Sequence, residues 1–261
     1  MIASEKYLRG VHRSFLTRNK RVLVNKLYTE LQNQHRAVGS VLIGGYDSFV
    51  MREAHKQNII NVLNNGLSII VKDYSKIAKS FYDDRTGKKA LTSENASIYL
   101  DILSEVERLA KLEQQPDFEQ QAEYIATTTF DNIEEVIQQG IDDGLSSEQI
   151  ALLLLAFGRS RNASRANTIT NTITNGIANN VSLTMAEQLS VAIGGFVKKK
   201  WLNVDDAVTR PWHASMKFKP AIPLDQKFIV DGEFMNRPRD PSASAKNTVN
   251  CRCSMTYIIT N

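Results

Sequence analysis

The sequence predicts an α+β fold: a long-helical N-terminal region, then a small α+β domain with a short antiparallel sheet. Two features point there. Up to about residue 160, apolar residues recur at helical spacing with only Pro116 among them. After Ser190 the pattern reverses, and Pro211, Pro220, Pro223, Pro238 and Pro241 punctuate short segments. The predicted domains are 1–145 and 146–261.

The first helix, over 3–36, carries Leu8, Val11, Phe15, Val22, Leu23, Leu27 and Leu31 on one stripe and basic residues outside. Gly39, Gly44 and Gly45 mark its end. The second runs from Phe49 to Phe81 through Ile59, Leu63, Leu67, Ile70, Tyr74 and Ile77, and a charged turn follows from Asp83 to Lys89. Ser93 opens a third, carried by Ile98, Leu103 and Val106. Pro116 is expected to interrupt it, because proline lacks the N–H that the helix ladder needs, and helix resumes from Phe118 to Gly140. Gly144 reads as a C-cap, and Ser146 or Ser147 as the N-cap of a helix to Phe157. From Asn162 to Asn180 small polar residues alternate with Ile169, Ile173, Ile177 and Val181, spaced by four. Such a helix has poor intrinsic propensity and needs packing to persist. Strands are predicted over Val191–Trp201, Lys227–Val230 and Val249–Ile259.

The net charge of +4 is unevenly spread: +6 over 1–40, +3 over 41–90, −12 over 91–150 and +7 over 151–261. Such blocks pair with one another or dock on oppositely charged surfaces. No apolar run reaches the length of a membrane span; the longest, Ile150–Phe157, reads as buried helix. Glu5, Lys6 and Arg9 are followed by no apolar signal core, so no secretion signal is expected. The two cysteines, Cys251 and Cys253, are too close in sequence to bridge each other without strain, which points to a reducing compartment.

The block Lys200–Cys253 supports three chemistries. As members of one strand, Cys251 and Cys253 would share a face; His213 could join them on a zinc ion, with Asp205, Asp206 or Asp225 as a fourth ligand. The same thiols and imidazole equally suit the buried centre of a compact fold. His213, Arg210, Glu233 and Arg237 are the residue types of a metal-free nuclease. Lys198, Lys199, Lys200, Lys217, Lys219, Arg237, Arg239 and Arg252 could neutralise DNA phosphates without reading sequence. Trp201, Phe218, Phe228 and Phe234 are expected in the core.

In order, the block reads Trp201, Asp205, Arg210, His213, Asp225, Phe228, Gly232-Glu233, Pro238 and Asn250-Cys251-Arg252-Cys253. This succession resembles the phage Mu F-like head morphogenesis family, over about residues 146–261. The family's Ala-Arg-Thr-Glu-like helix start reads here Ala166-Asn167-Thr168-Ile169, without its Arg and Glu. The resemblance implies a structural minor head protein of a tailed phage or prophage. Such a protein is assembled in the bacterial cytoplasm, recruited to the procapsid by the portal protein or by scaffold or major capsid protein, and kept in the head or neck near duplex DNA. The competing class is a nuclease-like effector delivered with phage DNA. Residues 1–80, basic outside and apolar along one stripe, are the expected portal contact.

Overall fold

The computed structural model describes residues 5–42, 47–86, 96–193 and 196–260. Helices α1 (Glu5–Val41), α2 (Ser48–Thr86), α3 (Ala96–Asp142) and α4 (Ser147–Ile193) come first. Strand β1 (Phe196–Leu202), helix α5 (Pro211–Ser215), a single 3-10 turn (Met216–Phe218), β2 (Ile222–Pro223), β3 (Phe228–Val230), β4 (Glu233–Met235), α6 (Ala245–Thr248) and β5 (Ser254–Thr260) follow. The fold is α+β, as the sequence predicts. Gly44, Gly45, residues 87–89 of the predicted turn and the predicted helix start at Ser93 lie outside the described residues. No helix among the described residues is long and apolar enough to cross a membrane.

Several boundaries differ from the sequence reading: α1 runs past Gly39 to Val41, and α2 runs through Asp83 to Thr86, into the predicted charged turn. Helix α3 runs through Pro116 unbroken. Proline forfeits one ladder bond, but Val106 and Ala110 before it and Phe118 and Ala122 after it are all fully buried. Side-chain burial of that extent outweighs one lost bond. Helix α4 joins the predicted helix to Phe157 and the Asn/Thr stretch into one element, and continues to Ile193, into residues predicted as strand. The segment 250–253 is a loop, with Asn250 at φ 55°, and β5 starts only at Ser254. The predicted caps between α3 and α4 are present. Gly144 has φ +70°. Ser146 accepts the Gln149 amide on Oγ while Gln149 Oε1 accepts the Ser146 amide at 2.8 Å, a reciprocal capping box.

Contacts group the chain into two units built from non-contiguous segments, and each long helix contributes to both. One unit takes 21–66 and 115–170. Its core includes Val38, Phe130, Ile133 and Leu154. Gly66 lets α2 approach α1 closely, since a Cβ there would stand 2.5 Å from Leu23 Cδ2.

The other unit takes 1–20, 67–114 and 171–261. Phe15 packs edge-on to Tyr74 at 4.7 Å, and Ile173, Ile177 and Val181 form the buried ridge of α4. A three-stranded sheet of order β2-β1-β5 carries its C-terminal part. β1 pairs antiparallel with β5 over seven positions, from Phe196↔Thr260 to Leu202↔Ser254, and with β2 over two. β3 and β4 form a hairpin turned by Asp231 (φ 50°) and Gly232 (φ 81°), the positive pair that a type I′ turn requires. Trp201 lies edge-on to Phe228 at 5.3 Å, in a cluster with Met216, Val230, Met235 and Met255. Phe218 and Phe234 are exposed rather than in the core. Alternation along the hairpin turns Phe228, Val230 and Met235 inward, leaving the facing pair Ile229 and Phe234 outside.

Candidate metal centre

His213, Cys251 and Cys253 meet at one buried point. Pro211, whose fixed φ suits the first helical position, starts α5, and His213 lies at its centre. His213 Nδ1 stands 3.7 Å from Cys251 Sγ and 3.6 Å from Cys253 Sγ, and the ligand atoms all lie within 4.8 Å of one another. Among the described residues this is the one cluster of His, Cys, Asp or Glu able to hold a metal ion.

The imidazole tautomer follows from its neighbours. Asn247 Oδ1 accepts from Trp212 Nε1 at 2.7 Å and lies 3.2 Å from His213 Nε2, while Asn247 Nδ2 points to the Val230 carbonyl. The amide is thus fixed with its oxygen toward the ring. Nε2 carries the proton, and the Nδ1 lone pair faces both sulfurs, as metal ligation requires. The adjacent thiols split in acidity. Hydrogen bonding from Cys253 lowers Cys251 well below the usual thiol range. The same Cys251 contact, with burial, raises Cys253.

The Asn/Thr face of α4 holds the cysteine loop. Asn175 Nδ2 donates to the carbonyls of Cys251 at 2.7 Å and Cys253 at 3.2 Å. Asn179 Nδ2 donates to the Cys253 carbonyl at 3.0 Å, and the Asn250 amide donates to Thr172 Oγ1 at 3.0 Å. The loop forms no strand ladder, so side chains of the neighbouring helix satisfy its backbone. This places both sulfurs on one side without strand alternation.

The other motif residues secure the same frame. Arg252 makes a two-point ion pair with Asp206, at 2.9 and 3.0 Å. Asp205 pairs with Lys217 at 3.0 Å, and Arg210 donates to the Val249 carbonyl at 2.7 Å. Pro238 and Arg239 (φ 59°) occupy the turn closed by the Asp240 amide on the Arg237 carbonyl. Asp225 lies apart, beside a cleft with Glu187, Asn236 and Asp240. Neither Asp205, Asp206 nor Asp225 joins the sulfur–imidazole cluster, correcting the expected carboxylate ligand. Beside the cluster is a recess of about 20 Å³, bounded by Val204, Thr209, Arg210 and Arg252. A water needs about 10–15 Å³, so the recess suits one. Two sulfurs and one nitrogen fit zinc, whose fourth position can be filled by water.

The four residue types of a nuclease do not share a cleft. Only Arg210 borders the recess beside His213. Glu233 caps α6 through the Ser244 amide and hydroxyl, at 2.9 and 2.6 Å. Arg237 is buried and donates to the Arg239 carbonyl at 2.9 Å. The basic set also divides. Lys199 is fully buried and donates to the Asn236 carbonyl at 2.9 Å, with burial lowering it to about 8. Arg239 is buried against Gly176 of α4. Lys199, Arg237 and Arg239 therefore belong to the interior and are corrected from phosphate contacts. Lys199 and Arg237 can be inside because backbone carbonyls accept from their charged groups. Lys198, Lys200, Lys217 and Lys219 stay at least partly exposed.

Sequence reasoning overlooked Asn247, Asn175, Asn179 and Thr172. For the last three the density of Asn and Thr in one helix was a usable signal; Asn247 had none. Comparison with family models, curated proteins and solved structures finds no match to this chain.

Proposed function

We propose that this chain is a structural minor head protein of a tailed phage or prophage, and that zinc bound by His213, Cys251 and Cys253 closes its C-terminal fold. One observation supports the structural reading. The ordered block that carries the family resemblance converges on a buried centre, with Trp201, His213, Phe228, Cys251 and Cys253 together and Arg210 and Arg252 tying down the adjoining loops. Residues arranged to hold a fold shut suit a load-bearing part better than a hydrolytic cleft. Nonspecific contact with packaged duplex DNA falls to the exposed Lys219 and the half-buried Lys198 and Lys200.

The portal protein is the proposed partner. Co-expressed with the portal of its own phage, the tagged full-length chain is expected to capture it. Arg21→Glu with Lys26→Glu, at exposed positions of α1, should weaken that capture by reversing the charge that steers docking. Absence of any portal in the eluate would sink the partner assignment, and full capture by the double variant would move the contact off α1.

Zinc has its own test. Elemental analysis of metal-replete protein should give about one zinc per chain, and Cys251→Ser or Cys253→Ser should release most of it, since each removes one of three protein ligands. Less than about a tenth of an equivalent in the unaltered chain, a level typical of contamination rather than a structural site, would refute the centre.

A further inference from the structure

A second cleft, unrelated to the head-protein reading, lies within the unit that carries the sheet. Its volume is about 300 Å³, the lower end of small-molecule sites. Arg9, Arg13 and Lys20 recur along α1 at helical spacing and so share one face, and Arg252 of the cysteine loop lines the same cleft. Leu16, Leu202 and Val204 supply an apolar wall. No acidic side chain is among the described residues that line it.

The cations are not all neutralised from within. Asp205 lies 3.9 Å from Arg9, and Asp206 holds Arg252 at 2.9 Å. Arg13 and Lys20 make no ion pair among the described residues, although Arg18, on another face of the same helix, pairs with Asp73 at 3.2 Å. Keeping like charges around one cleft is unfavourable unless an anion sits among them. Two polar side chains of the lining are also unserved. Thr174 Oγ1 and both amide atoms of Asn203, Oδ1 and Nδ2, are buried without a hydrogen-bond partner, on residues 1 and 0% exposed. A buried oxygen of this kind calls for a donor from outside the protein. His12, also at the cleft, is not that donor, because its ring nitrogens are taken by Tyr74 and Asn175.

We propose that this cleft binds a nucleotide. The phosphate sits among Arg9, Arg13, Lys20 and Arg252, and the sugar and base lie on Leu16, Leu202 and Val204. Hydroxyl or amino groups of the ligand donate to Asn203 Oδ1 and exchange a hydrogen bond with Thr174. Inorganic phosphate would satisfy the cations alone and leave the wall and both oxygens unserved. The nucleotide is either free or the 5′-terminal residue of a nucleic-acid strand; the chemistry recognised is the same.

Calorimetric titration of the full-length chain with the four nucleoside 5′-monophosphates, at fixed ionic strength, tests this. At least one should bind saturably at one per chain, with the matching nucleoside and inorganic phosphate about tenfold weaker or more. Arg13→Ala and Lys20→Ala should each cost about tenfold in affinity, Thr174→Val a few-fold, and Arg18→Ala nothing. Far-ultraviolet dichroism establishes that each variant is folded. No saturable binding, equal affinity for inorganic phosphate, or an equal loss in Arg18→Ala would overturn the proposal. A 5′-phosphorylated hexanucleotide supplies the last arm. If it competes and its 5′-hydroxyl twin does not, the ligand is a strand end; if neither competes, it is the free nucleotide. Equal competition by both would reduce the cleft to a general polyanion surface and overturn the site.

Discussion

Deleting residues 249–261 is expected to unfold the C-terminal sheet and its core. Strand β1 would lose all seven pairings with β5 and keep only its two with β2. A two-stranded remnant that short is not stable alone. The same cut removes Cys251, Cys253 and Met255 from the cluster around Trp201. Losing a buried methionine side chain alone costs about 2–5 kcal/mol. Added to the lost ladder, this approaches the roughly 5–15 kcal/mol that holds a domain folded. Both of the chain's tryptophans report on this region, since Trp201 is in the cluster and Trp212 packs against it. Emission of the truncated chain should therefore shift to the position of the urea-denatured protein, and the exposed edge of β1 should promote aggregation. Native emission with an unchanged melting temperature would contradict the assignment of β5 as the closing strand.

Acid is expected to destabilise the protein well above the range of its carboxyl groups. His12 is buried; its Nε2 lies 2.8 Å from Asn175 Oδ1 and its Nδ1 3.0 Å from the Tyr74 hydroxyl. Asn175 already spends its Nδ2 protons on the cysteine-loop carbonyls, so its Oδ1 must accept. His12 Nε2 therefore donates, and Nδ1 accepts from Tyr74. Burial lowers His12 from 6.5 to about 4. Unfolding thus takes up a proton between those values, so stability is full above pH 6.5 and is lost as pH falls toward 4. The difference amounts to about 3 kcal/mol across the window. His35 and His55, also lowered by burial, act in the same direction. Urea midpoints measured with chelator present, to separate metal release, should fall between pH 7.5 and pH 4.5. His12→Gln should lower the midpoint at pH 7.5 but flatten its decline. A decline as steep in the variant as in the parent would assign the acid sensitivity to other groups.

The spacing of Ile169, Ile173, Ile177 and Val181 identified the ridge of α4; the last three are buried and Ile169 is half-buried. What the polar flank of that helix does was not readable. Its partners, the carbonyls of Cys251 and Cys253, are more than 70 residues away in sequence. Composition can mark a helix as rich in hydrogen-bonding groups, but it cannot name what they bond. Lys199 shows the same limit. A run of three lysines reads as a charged surface, yet the middle one alternates inward along β1 and finds the Asn236 carbonyl.

By itself the sequence determined the α+β class, the C-cap at Gly144 with an N-cap at Ser146 or Ser147, and the grouping of His213 with Cys251 and Cys253 as candidate ligands. These depend on periodicity, backbone chemistry and donor type, which are local properties of the residues. Tertiary structure alone decided that Pro116 stays within a helix, that the cysteines lie in a loop held by Asn175 and Asn179, and that Arg237 and Arg239 are buried. It also decided that Arg9, Arg13, Lys20 and Arg252 line one cleft. Each of these depends on which distant groups meet, and packing can outweigh a local preference of a few kcal/mol or less.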